Sequence, residues 1–136
     1  HDIADMDHFI RAYQKDETLD VIFGSRFIRK TKTNVPIGRR LILLGGRIFT
    51  SLVSWVHLTD AHNGYRMLKV STLDKIHITM DGMEYASELI DQIGTHKFHF
   101  TEVPVNIHYD EYTLGKWQRY GWPFRIVFRM LYKKFF

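Results

Sequence analysis

The sequence predicts an α/β fold, and three observations carry that reading. Short apolar runs alternate along the chain with longer segments whose apolar residues recur at helical spacing. Apolar residues make up 45% of the 136, enough for a packed core and too many for a disordered chain. No internal repeat, low-complexity tract or linker divides the chain, so one domain, or part of one, is expected to bury roughly two-thirds of its unfolded surface.

The elements follow in order. Ile3, Met6, Phe9, Ile10 and Tyr13 recur at helical spacing over 3–15, with acids early and Arg11 and Lys15 late, as the helix dipole favours. Leu19 to Phe23 reads as a buried strand that stops at Gly24. A basic, polar loop covers 28–35. Pro36 suits the first turn of a long helix that runs to about Val56 and is apolar on most sides. His57 to Gly64 is a polar loop and Tyr65 to Val70 a strand. Ser71 is expected to cap a short helix, with Asp74 at its third position. A further helix over Met83 to Ile93 is expected to stop at Gly94. Phe98 to Tyr109 alternates as a strand in which Pro104 marks an edge or a bulge. Gly121-Trp122-Pro123 breaks the chain before a last helix to Phe136. A sheet with so few strands is expected to need neighbours that lie elsewhere.

Charge is distributed unevenly. The net charge is +4, yet no acid stands between Asp20 and Asp60, where Arg26, Arg29, Lys30, Lys32, Arg39, Arg40 and Arg47 fall. A second acid-free segment follows Glu111 and holds Lys116, Arg119, Arg125, Arg129, Lys133 and Lys134. Such segments attract phosphates, whether of nucleotides, lipid headgroups or nucleic acid, unless they are merely solvated faces. The basic stretches allow a nucleic-acid binder as a weaker rival, but no recognised module pattern is present and nucleic acid is not expected as a partner. The absence of cysteine excludes disulfides and thiolate metal sites. His57 and His62 stand five apart and His96 and His99 three apart, without a second carboxylate or a cysteine at ligand spacing, so no metal site is expected within the chain. Arg47 interrupts the best candidate for a membrane-spanning run.

Three segments carry groups suited to chemistry. Gly24-Ser25-Arg26 closes a strand, where α/β proteins place ligand contacts, and an arginine there can hold a phosphate through two parallel hydrogen bonds. In Asp60-Ala61-His62-Asn63-Gly64-Tyr65-Arg66, Asp60 is a candidate base or orienting carboxylate. Arg66 is able to anchor it or to bind a phosphate; Asn63-Gly64 alone reads as a turn with glycine at positive φ. Glu102-Val103-Pro104-Val105 precedes Tyr112-Thr113-Leu114-Gly115-Lys116. Lys116 can meet a diphosphate as a point charge, and Glu102 can equally be a sheet-edge charge.

In this order the segments resemble the second half of a family 2 glycosyltransferase of the GT-A fold, over nearly the whole span from His1 to about Lys116. Many members have a second acid or a serine where His62 and Asn63 stand, and the arginine of their last loop is replaced here by Asp110 or Glu111. The resemblance implies a partial, Rossmann-like GT-A sheet with flanking helices, lacking the N-terminal nucleotide-binding half. It implies residues 1–116 as the C-terminal part of a catalytic domain, with Asp60 catalytic and Arg26, Arg66 and Lys116 binding acceptor or phosphate. It also implies inverting transfer from a nucleotide sugar to a polyprenyl-phosphate or other lipid-linked cell-envelope acceptor. A Mg2+ or Mn2+ ion would be held by an Asp-x-Asp segment upstream of His1; the chain opens on His rather than Met and is expected to be a piece of a longer protein.

Residues 117–136 form a separate expectation. Arg125, Arg129 and Lys133 recur every four residues beside Phe124, Phe128, Leu131 and Phe135, with Trp117, Tyr120 and Trp122 just before. That is the pattern of a helix lying on an anionic membrane, with Trp122, Arg125, Phe128, Arg129 and Lys133 in contact; a core helix with a solvated basic edge fits it as well. The helix from Pro36 to Val56 invites the same question. The expected location is peripheral, at the cytoplasmic face of the cell membrane. A non-catalytic membrane-surface or interaction domain is the rival reading.

Overall fold

The computed structural model describes residues 2–28, 35–82, 84–107, 128, 131 and 132. A 3₁₀ turn (Ile3–Asp5) leads into α1 (Met6–Lys15), followed by β1 (Val21–Ser25), α2 (Ile37–Ser54), β2 (Arg66–Leu68), α3 (Val70–Leu73), α4 (Glu84–Thr95) and β3 (Phe100–Pro104). The fold is mixed α/β. Its sheet has the order β2-β1-β3, with β2 antiparallel to β1 (Val21 opposite Leu68) and β3 parallel to it (Val21 opposite Phe100, Ser25 opposite Pro104).

The central strand is buried on both faces, which is why it reads as an unbroken apolar run. Val21 and Phe23 point into a core with Val56, Leu58, Leu89, Ile90 and Ile93, contributed by α4 and the segment after α2. Ile22 points the other way, to Phe9 of α1 with Leu19, Val103 and Val105. Alternation along β1 thus divides the core into two layers on either side of the sheet.

Element ends differ from the sequence reading for identifiable reasons. The first helix does not begin at Ile3. Asp2 caps a 3₁₀ turn by accepting the Ala4 N–H at 3.0 Å, and the buried Asp5 carboxylate takes the Asn106 N–H at 2.6 Å. Of the expected apolar stripe on α1, Phe9 is buried and Tyr13 partly so, while Ile3, Met6 and Ile10 are exposed. Ser71 does not cap α3. Lys69 donates its N–H to the Asp20 carbonyl at 2.9 Å, so β2 ends at Leu68; the helix starts at Val70 without a side-chain cap, and Asp74 lies at its carboxyl end. Gly94 does not stop α4. The left-handed residue is Lys97, at φ 54°, and Gly94 instead lets α4 cross α2, because a Cβ there would collide with the Ser54 carbonyl oxygen. β3 ends at Pro104, which has no N–H to donate, after which the Val105 N–H closes on the Ser25 carbonyl at 3.0 Å.

Helix α2 is inverted relative to an ordinary surface helix. Leu43, Thr50 and Ser54 are buried and Gly46 partly so, whereas Ile37, Leu41, Leu44, Ile48 and Leu52 form an exposed apolar stripe at three- and four-residue spacing. The stripe ends at Trp55, which takes a left-handed conformation (φ 60°) and is 84% exposed. Arg40 and Arg47, both exposed, run along one edge of it. No helix among the described residues is long and apolar enough to cross a membrane.

The boundary expected at residues 116 and 117, and the residues Lys116, Trp122, Arg125, Arg129 and Lys133, lie outside the described residues. Phe128, Leu131 and Tyr132 are helical and exposed.

Candidate functional site

β1 and β3 run parallel, so their carboxyl ends meet at one edge of the molecule. There the turn Ser25-Arg26-Phe27 faces the loop that joins α2 to β2. The loop is tied down by Glu102 of β3. Its carboxylate accepts the Thr59 N–H at 2.9 and 3.0 Å, the Thr59 hydroxyl at 2.9 Å and the Asp60 N–H at 3.2 Å. Thr59 spends its proton on Glu102, so the Ser25 hydroxyl donates to Thr59 Oγ1 at 2.6 Å and itself accepts the Phe27 N–H at 3.1 Å. One hydrogen-bonded chain therefore joins the β1 turn, the loop and β3.

Within this frame Asp60 is 2% and Arg26 5% exposed. Arg26 Nε donates to Asp60 Oδ2 at 2.6 Å, Nη2 to Oδ1 at 2.6 Å, and the Arg26 main-chain N–H to Oδ2 at 3.0 Å. This two-pronged, charge-assisted geometry is the strong form of an ion pair, and burial forces the pairing because either charge alone would be costly. Arg26, not Arg66, is thus the anchor of Asp60.

Arg66 supports the loop instead. Its Nε donates to the Asn63 carbonyl at 2.9 Å and Nη2 to the Ala61 carbonyl at 3.3 Å, while the guanidinium lies 5.6 Å from the Phe23 ring and 5.7 Å from the Tyr85 ring. Burial lowers the Arg66 pKa, opposed by Tyr85 and by Asp60, whose charge it feels. Gly64 is not at positive φ; the turn is made by the Asn63 side chain, which accepts the Tyr65 N–H at 3.1 Å. Two buried donors of this loop, Asn63 Nδ2 and Arg66 Nη1, have no hydrogen-bond partner among the described residues.

His62 lies between the loop and α2. Its ring rests against the Gly46 main chain, where a Cβ would stand 2.5 Å from Nε2. Desolvation lowers its pKa; Arg66 and Arg26 push the same way, against Asp60 and the Gly46 main chain. The imidazole is therefore neutral at pH 7.

The sequence reading singled out Asp60, Arg26 and Arg66, and the fold gathers all three at the ends of β1 and β2. Ser25 and Thr59 stand within or beside these motifs but carry no role in the sequence, because nothing local shows that their hydroxyls meet, and Glu102 stays between two roles. One signal was available: an acid in mid-strand among Phe100, Val103 and Val105 is costly unless something uses it. No group of three His, Asp or Glu side chains among the described residues is arranged to hold a metal ion. The two carboxylates of the cluster do not fit a divalent cation, since Arg26 occupies Asp60 and main-chain N–H groups occupy Glu102.

No protein-family model matches the chain, and no solved structure matches it. It is 28% identical over 123 residues to MJ1222, an uncharacterized protein of Methanocaldococcus jannaschii, covering 88% of this chain and 51% of that protein. It is 25% identical over 122 residues to the UDP-N-acetylglucosamine–dolichyl-phosphate N-acetylglucosaminyltransferase of Methanococcus voltae, covering 88% of this chain and 49% of that enzyme. The chain therefore spans about half the length of these relatives, and its similarity to a glycosyltransferase is distant.

Proposed function

We propose that the chain is the acceptor-side portion of an inverting glycosyltransferase of the GT-A kind, which moves a sugar from a nucleotide sugar to a polyprenyl-phosphate-type acceptor at the cytoplasmic membrane surface. The observation that carries the reading is the buried Asp60–Arg26 pair at the carboxyl ends of β1 and β3, on a loop that α2 touches through His62. The distant similarity to an enzyme that acts with dolichyl phosphate supports the same reading.

In the reaction an acceptor oxygen forms a bond to the anomeric carbon while the bond from that carbon to the nucleotide diphosphate breaks. The diphosphate leaves with the electron pair, and the configuration inverts. Three of the roughly four lone-pair positions of Asp60 are already filled by Arg26, so the carboxylate is a weak proton acceptor. That favours an acceptor whose oxygen is already anionic, a phosphate, which Asp60 orients rather than deprotonates. The unpaired donors Asn63 Nδ2 and Arg66 Nη1 are suited to phosphate oxygens, as is Lys116. A Mg2+ or Mn2+ ion, which would stabilise the departing diphosphate, belongs on this reading to residues outside the chain.

The exposed stripe of α2 fits a lipid-borne acceptor. Apolar side chains face outward, Arg40 and Arg47 edge them, Trp55 ends them, and no acid lies between Asp20 and Asp60 to repel anionic headgroups. The last helix expected from the sequence, with Arg125, Phe128, Arg129 and Lys133 and with Trp122 just before it, is assigned to the same surface. The stripe also favours the second reading, a non-catalytic membrane-surface domain.

The complete protein, supplied with UDP- or GDP-sugars, Mg2+ or Mn2+ and a polyprenyl phosphate in anionic vesicles, should form a lipid-linked sugar. Vesicle binding without any turnover selects the non-catalytic reading. Calorimetry on the 136-residue chain alone should show no tight, metal-dependent binding of nucleotide sugar; micromolar binding would place the donor site within the chain.

A further inference from the structure

We propose that the contact between Gly46 and His62 is the link through which α2 sets the Asp60 loop, so that seating the outer face of α2 on a lipid surface orders the loop that holds the carboxylate. The proposal rests on the reading of α2 as a lipid-facing helix.

The geometry of α2 makes the link specific. Leu44 and Ile48, two residues to either side of Gly46, are exposed in the outer stripe, while Gly46 looks inward. A Cβ on Gly46 would stand 2.5 Å from His62 Nε2 and 2.9 Å from Cδ2, so the ring packs against the bare helix backbone. Gly45, the preceding residue, has nothing within 4 Å of where its Cβ would be. At its carboxyl end α2 is fixed to α4, where Gly94 meets the Ser54 carbonyl. Midway along, His62 joins it to the loop.

The far side of the link is equally defined. His62 stands two residues after the anchored Asp60 and directly before Asn63, whose side chain builds the turn into β2. Asp60 and Arg26 face the ring from the loop and the β1 turn, Arg66 from β2, and the Gly46 main chain from α2. Burial of the ring disfavours a cation there, and the two arginines oppose the attraction of Asp60. A shift of α2 normal to its lipid-facing side is therefore delivered to the segment between Asp60 and Asn63.

Hydrogen exchange on the complete protein, with and without phosphatidylglycerol-containing vesicles, tests the link without relying on turnover. In the wild-type protein vesicles should slow exchange of the 59–65 amides by about tenfold, the scale of one net hydrogen bond. Gly46→Ala makes a better helix former of α2 yet drives a methyl group into the His62 ring. It should keep vesicle binding and lose that protection. His62→Ala should lose it too, and Gly45→Ala should behave as wild type. Vesicle binding with equal protection of the loop in wild type, Gly46→Ala and His62→Ala overturns the link, as does loop exchange that vesicles leave unchanged in the wild type. Failure to bind vesicles overturns it through its premise, and the turnover assay separately reports whether the transferase reading stands.

Discussion

Arg26 encloses Asp60 from three nitrogen atoms, at 2.6, 2.6 and 3.0 Å, in a pair that is almost wholly removed from solvent. The arginine comes from the end of the central strand and the aspartate from a loop 34 residues later, so the pair staples the loop to the sheet. It also leaves one oxygen of the carboxylate, Oδ1, with a single bond from Arg26 and the other, Oδ2, with two. Structure and chemistry at this point are inseparable, and variants should show both effects.

On the proposed reading, Asp60→Asn in the complete protein should lower kcat by roughly 10²-fold, the scale on which misplacing a reacting group slows a reaction. Arg26→Ala leaves a buried charge unpaired and should cost about 3–5 kcal/mol of stability. Steady-state kinetics and urea unfolding separate the two quantities. Near-wild-type turnover of Asp60→Asn would remove Asp60 from the mechanism.

Glu102→Gln replaces an acceptor of three donors with an amide that has one acceptor oxygen and turns its own N–H groups toward Thr59. Leaving a buried N–H without a partner costs about 1–3 kcal/mol. The expected result is a lower unfolding midpoint with a loosened 59–60 segment. An unchanged midpoint would reduce Glu102 to a sheet-edge charge.

The lowered pKa of His62 makes stability pH-dependent. Unfolded, the residue regains its ordinary value of 6.5; folded, it stays neutral further into acid. As pH falls below about 6.5 the unfolded chain therefore takes up a proton that the native one refuses, and stability drops by at most about 1.4 kcal/mol per pH unit from this group. The contribution is fully present above that pH. Unfolding free energies of wild type and His62→Gln between pH 5 and 8 should diverge in slope on the acid side; parallel curves would show that the ring titrates normally.

Ile48→Asp and Leu52→Asp alter side chains that α2 already exposes, so folding should be little changed. Each should weaken binding to anionic vesicles, because burying such a side chain in lipid contributes about 1.5–3 kcal/mol. Reversing Arg125, Arg129 and Lys133 to Glu should release the protein further, at about 1 kcal/mol for each charge near the surface. Cosedimentation with vesicles measures both. If either set leaves binding unchanged, the helix concerned packs elsewhere.

The sequence alone determined what depends on local spacing and residue type. The apolar run from Leu19 to Phe23 announced a buried strand, and the α/β alternation and the length of α2 were legible from periodicity. Asp60, Arg26 and Arg66 were singled out as chemistry-bearing residues before any contact was known. Tertiary structure decided which of them meet. Arg66 is the nearer arginine in sequence, but it is held by the carbonyls of its own turn and by the Phe23 and Tyr85 rings; Arg26 reaches Asp60 because both stand at the same sheet edge. The inversion of α2 belongs to the same class. Its sequence is apolar on most sides, and only packing against α4 and His62 chooses the side bearing Gly46, Thr50 and Ser54 as the inner one. Periodicity fixes which residues share a face, but which face is covered depends on partners far along the chain.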